Sequence, residues 1–272
     1  MSADPAAERA QPAAAGPPAM RRLLPPGADT HPAEFVEALD IPAMPAPEGR
    51  PRVLLNMAST ADGRASLAGR SGPIGNRADH GLFHALRAGV DAILVGAGTV
   101  RTERYGRVIR DAGRRRARRE RGLSEEPLAG IVSASLDLPA DLPLLSEPAA
   151  RVVILTPSEK VLDGVSASVE YVRAGAGEEC ELTVALAELR ERFGVRTVLC
   201  EGGPHLNHDL LRAGLVDELF LSFAPLLAGG DDPGRRTLRI IAGDELAQPA
   251  PMELASVLEN ESQLFLRYLV RV

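Results

Sequence analysis

After residue 51, short apolar runs alternate with longer amphipathic stretches along the chain. The apolar runs predict strands at 52–58, 91–95, 129–133, 152–155, 169–172, 197–200 and 218–224. Apolar positions three and four residues apart predict helices at 77–88, 181–193 and 204–213, and a further helix directly follows the strand at 91–95. Two last alternating runs, 252–258 and 263–270, are separated by four polar residues and predict a hairpin.

The alternation of strands and helices predicts an α/β fold with a mostly parallel central sheet flanked by helices. The hairpin at the end of the chain would add an antiparallel edge to that sheet. In open α/β sheets, ligands bind beyond the carboxyl ends of the parallel strands. Two predicted strands run into glycine-rich segments there, Gly96–Thr99 and Glu201–Gly203. We therefore expect the functional site at these two strand ends.

The first fifty residues have a different composition from the rest. Residues 1–19 contain eight alanines and four prolines, which predicts a disordered tail because such a segment has little apolar surface to bury. Residues 20–50 form an N-terminal extension in this interpretation. Residues 51–272 then form one folded domain.

Composition excludes several classes of protein. No apolar run approaches the roughly 18 residues of a membrane helix, and no secretory signal is recognisable. The two cysteines, Cys180 and Cys200, are too few for a disulfide framework or a four-ligand zinc site and fit a reducing cytoplasm. His205 and His208 lack a third ligand nearby, so we predict no metal site. The net charge of −6 does not favour non-specific binding to nucleic acid.

The glycine-rich segments have the chemistry of phosphate cradles. A glycine after a buried strand lets backbone amides approach a ligand, and the amides that begin the next helix favour an anion. Residues 96–101 carry the first half of a dinucleotide fingerprint, but Arg101 stands where a third small residue belongs. A tight strand–helix turn would explain the same glycines. Two such cradles on one sheet indicate a dinucleotide ligand, and Glu201, at the strand end beside the second cradle, would suit a polar substrate or its own turn.

Taken in order, these motifs resemble a known family. They are the stretch Asn56–Gly63, Leu86-Arg87-Ala88, Asp91–Arg101, Glu201–Pro204 and Leu215–Leu219. They resemble the pyrimidine reductase of riboflavin biosynthesis, which is the C-terminal domain of a bifunctional deaminase–reductase and is similar in fold to dihydrofolate reductase. The resemblance covers about residues 51–271. It implies a dihydrofolate reductase-like reductase domain at 51–272 that uses NADPH to reduce the ribosyl group of 5-amino-6-(5-phosphoribosylamino)uracil to ribityl. It also implies a cytoplasmic homodimer that acts on a small phosphorylated molecule, with no nucleic acid or membrane partner.

The family pattern assigns roles to individual positions. It places cofactor contacts at Ser59, Gly96, Gly98, Thr99, Val100, Glu103, Ser133, Ser135, Gly202, Gly203, His205 and Leu206. It places substrate contacts at Asn56, Ser71, Arg87 and Arg110, of which the two arginines suit a 5-phosphate because guanidinium binds phosphate through paired hydrogen bonds. Asp62, Asp79 and Glu201 are the catalytic candidates.

Local structure offers another explanation for several of these residues. Asp79 stands three residues after the helix cap Asn76 and would also suit a capping box. Asp62 precedes a glycine and would also suit a turn, and Arg87 would also suit a solvated helix face or an ion pair. The seven arginines of residues 110–121 lack interleaved aromatic residues, which favours a solvated or partly helical insertion over nucleic-acid binding.

The chain also departs from the family pattern. No His-x-Glu with a Pro-Cys-x-x-Cys partner is present, so the resemblance indicates a stand-alone reductase without the deaminase half. Pro73 replaces an aromatic residue, and Arg104-Tyr105-Gly106 replaces a sequence like Asp-Asp-Pro. These differences leave two alternatives open, a dihydrofolate reductase-like pteridine reductase and a non-catalytic NADP-binding protein.

Overall fold

The computed structural model describes residues 17–177, 179–230 and 238–271. Its strands are β1 (Arg21–Leu24), β2 (Arg52–Thr60), β3 (Ala92–Gly96), β4 (Leu128–Val132), β5 (Arg151–Thr156), β6 (Ser168–Arg173), β7 (Gly175–Ala176), β8 (Glu179–Cys180), β9 (Thr197–Cys200), β10 (Glu218–Ala224), β11 (Met252–Asn260) and β12 (Gln263–Val270). Its helices are α1 (Pro32–Leu39), α2 (Arg77–Gly89), α3 (Ala97–Glu103), α4 (Ala112–Glu120), α5 (Leu182–Phe193) and α6 (Pro204–Arg212). Among the residues described, no helix is long and apolar enough to cross a membrane.

Ten of these strands form one sheet in the order β1-β11-β12-β10-β2-β9-β3-β4-β5-β6. The seven strands from β10 to β6 are parallel to their neighbours, whereas β12, β11 and β1 continue the sheet in antiparallel fashion. The predicted α/β class, with a mostly parallel central sheet and an antiparallel C-terminal hairpin, is confirmed. Strands β7 and β8 form a separate small hairpin.

The sheet is buried on both faces, which explains why its central strands are continuously apolar. Alternate residues of β2 pack on opposite faces of the sheet. Leu54 packs in the core on the side of α2, and Val53 and Leu55 pack on the side of α5 and α6. All three are almost fully buried. Helices on both faces therefore leave the strand ends as the open part of the parallel sheet.

The C-terminal hairpin turns through two residues. Asn260 pairs with Gln263 across the turn, and the connecting residues Glu261 and Ser262 have φ values of 52° and 65°. Two consecutive positive φ angles are typical of the two-residue turns whose twist matches that of the strands.

The N-terminal extension packs against the domain. Strand β1 pairs with β11 at the sheet edge, and a Cβ atom added at Gly89 of α2 would lie 3.2 Å from the Cδ1 of Ile41, directly after α1. Residues 1–16 of the proposed tail lie outside the described residues. At the end of the tail, the carbonyl of Pro18 accepts a hydrogen bond from the ring of His31, and the carbonyl of Ala19 accepts one from the side chain of Asn260.

Candidate active site

The two glycine-rich bends lie side by side because the strands that lead into them, β3 and β9, are neighbours. The Gly96 amide donates to the carbonyl of Gly202 at 2.7 Å, and the Glu201 amide donates to that of Leu94 at 2.9 Å. Gly202 has a φ of +84°, a conformation that favours glycine, and the Gly202–Gly203 peptide is cis. One continuous backbone surface therefore spans the ends of two strands.

The small residues keep this surface bare. A Cβ atom at Gly203 would lie 2.7 Å from the Thr99 hydroxyl oxygen, and one at Gly96 would lie 3.4 Å from the Gly203 nitrogen. A Cβ at Gly98 would meet nothing within 4 Å and would project into open space. The backbone is thus exposed to a ligand at Gly98 and closely packed at Gly203.

Two clefts open at this edge of the sheet. We call the first, of about 320 Å³, the glycine cleft; its lining includes Gly96, Gly98, Thr99, Gly203, His205 and Leu206. We call the second, of about 490 Å³, the arginine cleft; its lining includes His80, His84, Arg87, Tyr105, Arg110 and Arg114.

Ser71 and Glu103 line both clefts and therefore mark the place where they meet. The backbone amide and the hydroxyl of Ser71 each donate to the same carboxylate oxygen of Glu103 at 3.0 Å. A ligand long enough to pass this pair would reach from the glycine bends to the arginines.

A buried charged cluster joins the bends to the arginine cleft. Arg87 donates from Nε to Oε1 of Glu201 and from Nη2 to Oε2, both at 2.7 Å. The hydroxyl of Tyr105 donates to the same Oε2 at 2.6 Å. The guanidinium also lies 4.1 Å from the ring centre of Phe83 and 5.4 Å from that of Tyr105, which adds cation–π attraction.

Burial and charge fix the protonation of this cluster. Burial opposes the charge of Arg87, but the Glu201 carboxylate outweighs it and raises the pKa of the guanidinium. Burial, followed by the negative charge of Glu201, raises the pKa of Tyr105 well above its usual value. At neutral pH the tyrosine is therefore a hydrogen-bond donor. Glu201 is the ion-pair partner of Arg87. An ion pair was one of the roles considered from the sequence for Arg87, but not for Glu201.

The other two carboxylates proposed as catalytic lie outside the lining of both clefts. Asp62 is exposed and accepts hydrogen bonds from the Thr60 hydroxyl and from the amides of Ala228 and Gly229. The Thr60 hydroxyl, followed by the Gly229 amide, lowers the pKa of Asp62 from 3.8 to about 2. This geometry ties the end of β2 to the loop after β10.

Asp79 is half-buried beside the hydroxyl of Ser222, and burial raises the pKa of its carboxyl group. The Asn76 side chain caps α2 by accepting from the amides of Ala78 and Asp79. The Asn76 amide itself donates to Gln263, which takes the place that a capping-box carboxylate would hold.

Several residues assigned from the resemblance lie beside the clefts rather than in their lining. Val100 is fully buried in the core, and Asn56 and Ser59 lie on β2. The hydroxyl of Ser133 accepts from the Leu136 amide at 3.1 Å, and that of Ser135 lies 3.4 Å from the Asp137 amide. A third cleft, of about 700 Å³, opens next to these serines at Val132 and Ala134. The proposed contacts of these residues stay predictions.

Tyr105, His80, His84 and Arg114 were not predicted as site residues. Tyr105 reaches Glu201 because Arg104 ends α3 with a φ of 46° and the Tyr105 amide donates to the Val100 carbonyl. The one sequence signal was that Tyr105 stands in a segment that departs from the family pattern. No comparable signal marked the histidines.

Within the described ranges, no group of three His, Cys, Asp or Glu side chains could hold a metal ion. The ring of His208 lies 2.9 Å from the Asp244 carbonyl through Nε2 and 3.2 Å from the Asp209 carboxylate through Nδ1. Burial raises the pKa of the Cys200 thiol to about 12, which makes it unreactive.

The fold and the site together define an α/β protein with a small-residue ligand cleft at the carboxyl edge of its parallel sheet and a basic cleft beside it. The chain belongs to the RibD C-terminal domain family, whose model matches residues 51–259. The resemblance noted from the sequence motifs is thereby confirmed.

Two curated relatives are stand-alone proteins. The chain is 33% identical over 187 residues to the 2,5-diamino-6-ribosylamino-4(3H)-pyrimidinone 5′-phosphate reductase of Archaeoglobus fulgidus, covering 67% of this chain and 84% of the relative. It is 31% identical over 227 residues to the protein of the same name from Methanothermobacter thermautotrophicus, covering 82% of this chain and 99% of the relative.

Solved structures share the fold. A pyrimidine reductase-like protein from Corynebacterium diphtheriae superimposes with a TM-score of 0.68 at 24% identity, covering 87% of this chain and 99% of the other. The riboflavin biosynthesis reductase Rib7 of Saccharomyces cerevisiae gives a TM-score of 0.62 at 19% identity, covering 88% and 98%.

Proposed function

We propose that this chain is a stand-alone reductase that uses NADPH to reduce the ribosyl group of a 5-phosphoribosylamino-pyrimidine to ribityl. The observation that carries the proposal is that the glycine cleft and the arginine cleft meet at Ser71 and Glu103. One cleft exposes backbone to a dinucleotide, and the other offers guanidinium groups to a phosphorylated substrate. The names of the two curated relatives support the same reaction.

The residues of the glycine cleft fit a nicotinamide dinucleotide. The bare backbone at Gly98 leaves room for a ligand, and the amides of His205 and Leu206, which follow Pro204 in the first turn of α6, are available to a phosphate. His205 and Leu206, in the first turn of α6, complete this wall. When bound, the cofactor supplies the hydride, and the protein holds the reacting carbons in place and excludes water.

The residues of the arginine cleft, together with Glu201 of the glycine cleft, fit the substrate. Arg110 is exposed in the arginine cleft and has no carboxylate partner among the described residues, so it is free to bind a phosphate. Arg87 is committed to Glu201 and also donates to the Val108 carbonyl at 3.2 Å. We therefore assign Arg87 to positioning Glu201, and Glu201 to contacting the polar part of the substrate where the clefts meet.

The pyrimidine itself has two candidate forms. The sequence resemblance named 5-amino-6-(5-phosphoribosylamino)uracil, whereas the curated relatives are named for the 2,5-diamino-4(3H)-pyrimidinone. Both present the same phosphoribosylamino group, and they differ at the 2-position of the ring. The proposal therefore covers the class and leaves the choice to experiment.

The test is to mix the purified protein with NADPH and each pyrimidine and to follow nicotinamide absorbance. We expect turnover of at least one pyrimidine and none of dihydrofolate at a comparable rate, with NADH as the control cofactor. Faster turnover of dihydrofolate would indicate the pteridine reductase instead. Tight binding of NADPH without turnover of any substrate would indicate a non-catalytic NADP-binding protein.

We also propose that the protein works as a cytoplasmic homodimer. Strands β1 and β11 pair at the edge of the sheet, and both carry exposed apolar side chains: Leu23 and Leu24 on β1, and Met252 and Leu254 on β11. Burying these side chains against a second copy would remove an apolar patch from water. Sedimentation analysis that finds only monomers at micromolar concentration would contradict this assignment.

A further inference from the structure

The partners of the arginines in the segment 110–121 divide them into two groups. Five of them are engaged by neighbouring carboxylates or backbone carbonyls: Arg115, Arg116, Arg118, Arg119 and Arg121. Arg110 and Arg114 have no ion-pair partner in the part of the chain that the structure describes. The segment therefore consists mostly of structural arginines, with two guanidinium groups left over.

Both of these free guanidinium groups line the arginine cleft. Arg110 comes from the connection before α4, and Arg114 comes from the first turn of that helix. The two carboxylates in the lining are already engaged, because Glu103 accepts from Ser71 and Asp111 accepts from the Arg114 amide at 2.7 Å. Two unpaired cations thus face a cleft whose acidic groups are occupied.

The positive charge of Arg114 affects the pKa of His84. Burial, followed by the charge of Arg114 and that of Arg87, lowers the pKa of His84 on α2. The imidazole of His84 also lines the arginine cleft, so the charge of Arg114 acts into the cleft and across to the opposite helix.

We infer that Arg114 is a specificity-determining residue that binds the terminal phosphate of the substrate together with Arg110. A phosphate dianion accepts hydrogen bonds from two guanidinium groups, each able to present a pair of parallel N–H donors. Helix α4 is then part of the substrate site, held in place chiefly by the buried Arg118 behind it. This inference rests on the proposed function, because it names which group of the substrate the arginine cleft recognises.

The test compares Arg114→Ala with Arg116→Ala. Arg116 lies on the same helix, is exposed, pairs with Glu120 at 3.9 Å and does not line the cleft. For Arg114→Ala we expect kcat/KM for the phosphorylated pyrimidine to fall about 10- to 100-fold, because a hydrogen bond between charged groups is worth about 1.5–3 kcal/mol. For the same pyrimidine without its 5-phosphate, kcat/KM should be unchanged in this variant. Arg116→Ala should match the wild type on both, and Arg114→Lys should recover part of the loss.

Three outcomes of the kinetic test would overturn the inference. The kcat/KM of Arg114→Ala on the phosphorylated pyrimidine could equal that of Arg116→Ala. It could also fall by the same factor on both substrates, which would indicate a structural role. Arg114→Ala could instead raise the KM for NADPH but not for NADH, which would indicate that Arg114 contacts the 2′-phosphate of the cofactor.

A binding measurement separates this inference from the proposed function. Ribose 5-phosphate should raise the melting temperature of the wild type and of Arg116→Ala but not that of Arg114→Ala. The result stands even if neither pyrimidine is turned over, which would defeat only the proposed function. Equal stabilisation of all three proteins, or of none, would overturn the assignment of Arg114.

Discussion

The hydroxyl of Tyr105 donates to the Glu201 carboxylate at 2.6 Å, on the oxygen that also accepts from Arg87. Tyr105 follows α3, and Glu201 follows β9, so this bond links the walls of the two clefts. Arg87 donates to both carboxylate oxygens, and the Tyr105 hydroxyl adds a further hydrogen bond to Oε2 that helps to hold the carboxylate in one orientation. The geometry makes Tyr105 a positioning residue for the Glu201 carboxylate, the group that we propose contacts the substrate.

Tyr105→Phe tests this role. The variant keeps the ring beside Arg87 and removes only the hydrogen bond to a charged acceptor, which is worth about 1.5–3 kcal/mol. We expect kcat/KM to fall about tenfold, a change of roughly 1.4 kcal/mol, measured by NADPH oxidation. The matched control is Tyr171→Phe, which removes a hydroxyl that accepts from the Leu162 amide far from the clefts.

The control separates positioning from simple stability. Both variants should melt at lower temperature than the wild type, but only Tyr105→Phe should lose activity. Equal activity in Tyr105→Phe and Tyr171→Phe would show that the Tyr105 hydroxyl only stabilises the fold.

The elements predicted from the sequence are those whose pattern is local. Strands such as β9 and β10 have the predicted bounds, and Asn76 caps α2 as its side-chain chemistry indicates. Strand β1 was not predicted because its Arg-Arg-Leu-Leu sequence has no clear period, and its conformation depends on pairing with β11. A local sequence pattern thus identifies elements that their own residues favour. It does not identify a strand whose conformation depends on pairing with a distant strand.

In the candidate site, too, features with a local sequence pattern were predicted, and features that depend on tertiary contacts were not. The glycine bends were predicted because glycines directly after a buried strand mark a bend there, whether it holds a ligand or only makes a tight turn into the next helix. The bond between Tyr105 and Glu201 joins residues 96 positions apart, and no spacing along the chain encodes it. The burial of Arg118 is similar, because only the packing of α4 on α2 turns one arginine of a polar run inward.

The ion pair of Arg87 and Glu201 should contribute both to the stability of the fold and to activity, and the two contributions can be measured separately. Glu201→Gln leaves the Arg87 charge buried without its counter-charge, and breaking a buried pair from one side costs about 3–5 kcal/mol of unfolding free energy. The double variant Arg87→Met/Glu201→Leu removes both charges, and we expect it to recover most of that loss in urea denaturation. It should remain inactive, because the Glu201 carboxylate proposed to contact the substrate is gone. Recovery of activity in the double variant would refute the role of Glu201.

Asp62 has two possible roles, in stabilising the loop after β10 and in catalysis. The first predicts a pH-dependent contribution to stability, and the second predicts a large effect on activity. The pKa of Asp62 is lowered from 3.8 to about 2, so its ionised form stabilises the folded state above pH 3.8, and this contribution is lost as the pH falls toward 2. In Asp62→Asn we expect the stability difference from the wild type to be constant near neutral pH and to shrink over that acidic interval. Asp163→Asn, at an exposed carboxylate without a hydrogen-bond partner among the described residues, is the control.

Activity decides whether Asp62 also acts in catalysis. A general acid–base is worth about 10²–10⁴-fold in rate, whereas a residue that only ties the loop at 226–230 should change kcat less than about tenfold. We expect the smaller change for Asp62→Asn, because its carboxylate is saturated by Thr60, Ala228 and Gly229. A loss of 10²-fold or more in a folded variant would support the catalytic role.

Arg118 should be the arginine of α4 that matters most for stability. Its guanidinium is almost fully buried and donates to the carbonyls of Ala88, Val90 and Ser124, thereby ending α2. Burial lowers its pKa to about 10, so it stays charged at neutral pH. Arg118→Met leaves those carbonyls without donors, and we expect a loss of about 3 kcal/mol in urea denaturation, whereas the exposed Arg119→Met should change stability by less than about 0.5 kcal/mol. Similar losses in both variants would show that the buried donors are dispensable.

Gly203→Ala should weaken cofactor binding through the close approach of the two bends. Gly203 has a φ of −75°, which alanine adopts readily, but its Cβ would lie 2.7 Å from the Thr99 hydroxyl. A double variant with Thr99→Ala removes that internal clash and leaves only the added methyl group facing the ligand. We expect the Kd for NADPH, measured by fluorescence titration, to rise about tenfold or more in both Gly203→Ala and the double variant, which corresponds to at least 1.4 kcal/mol. Thr99→Ala alone should have a smaller effect. Wild-type affinity in a folded double variant would mean that the ligand does not approach residue 203, because the loss in Gly203→Ala would then come from the displaced hydroxyl.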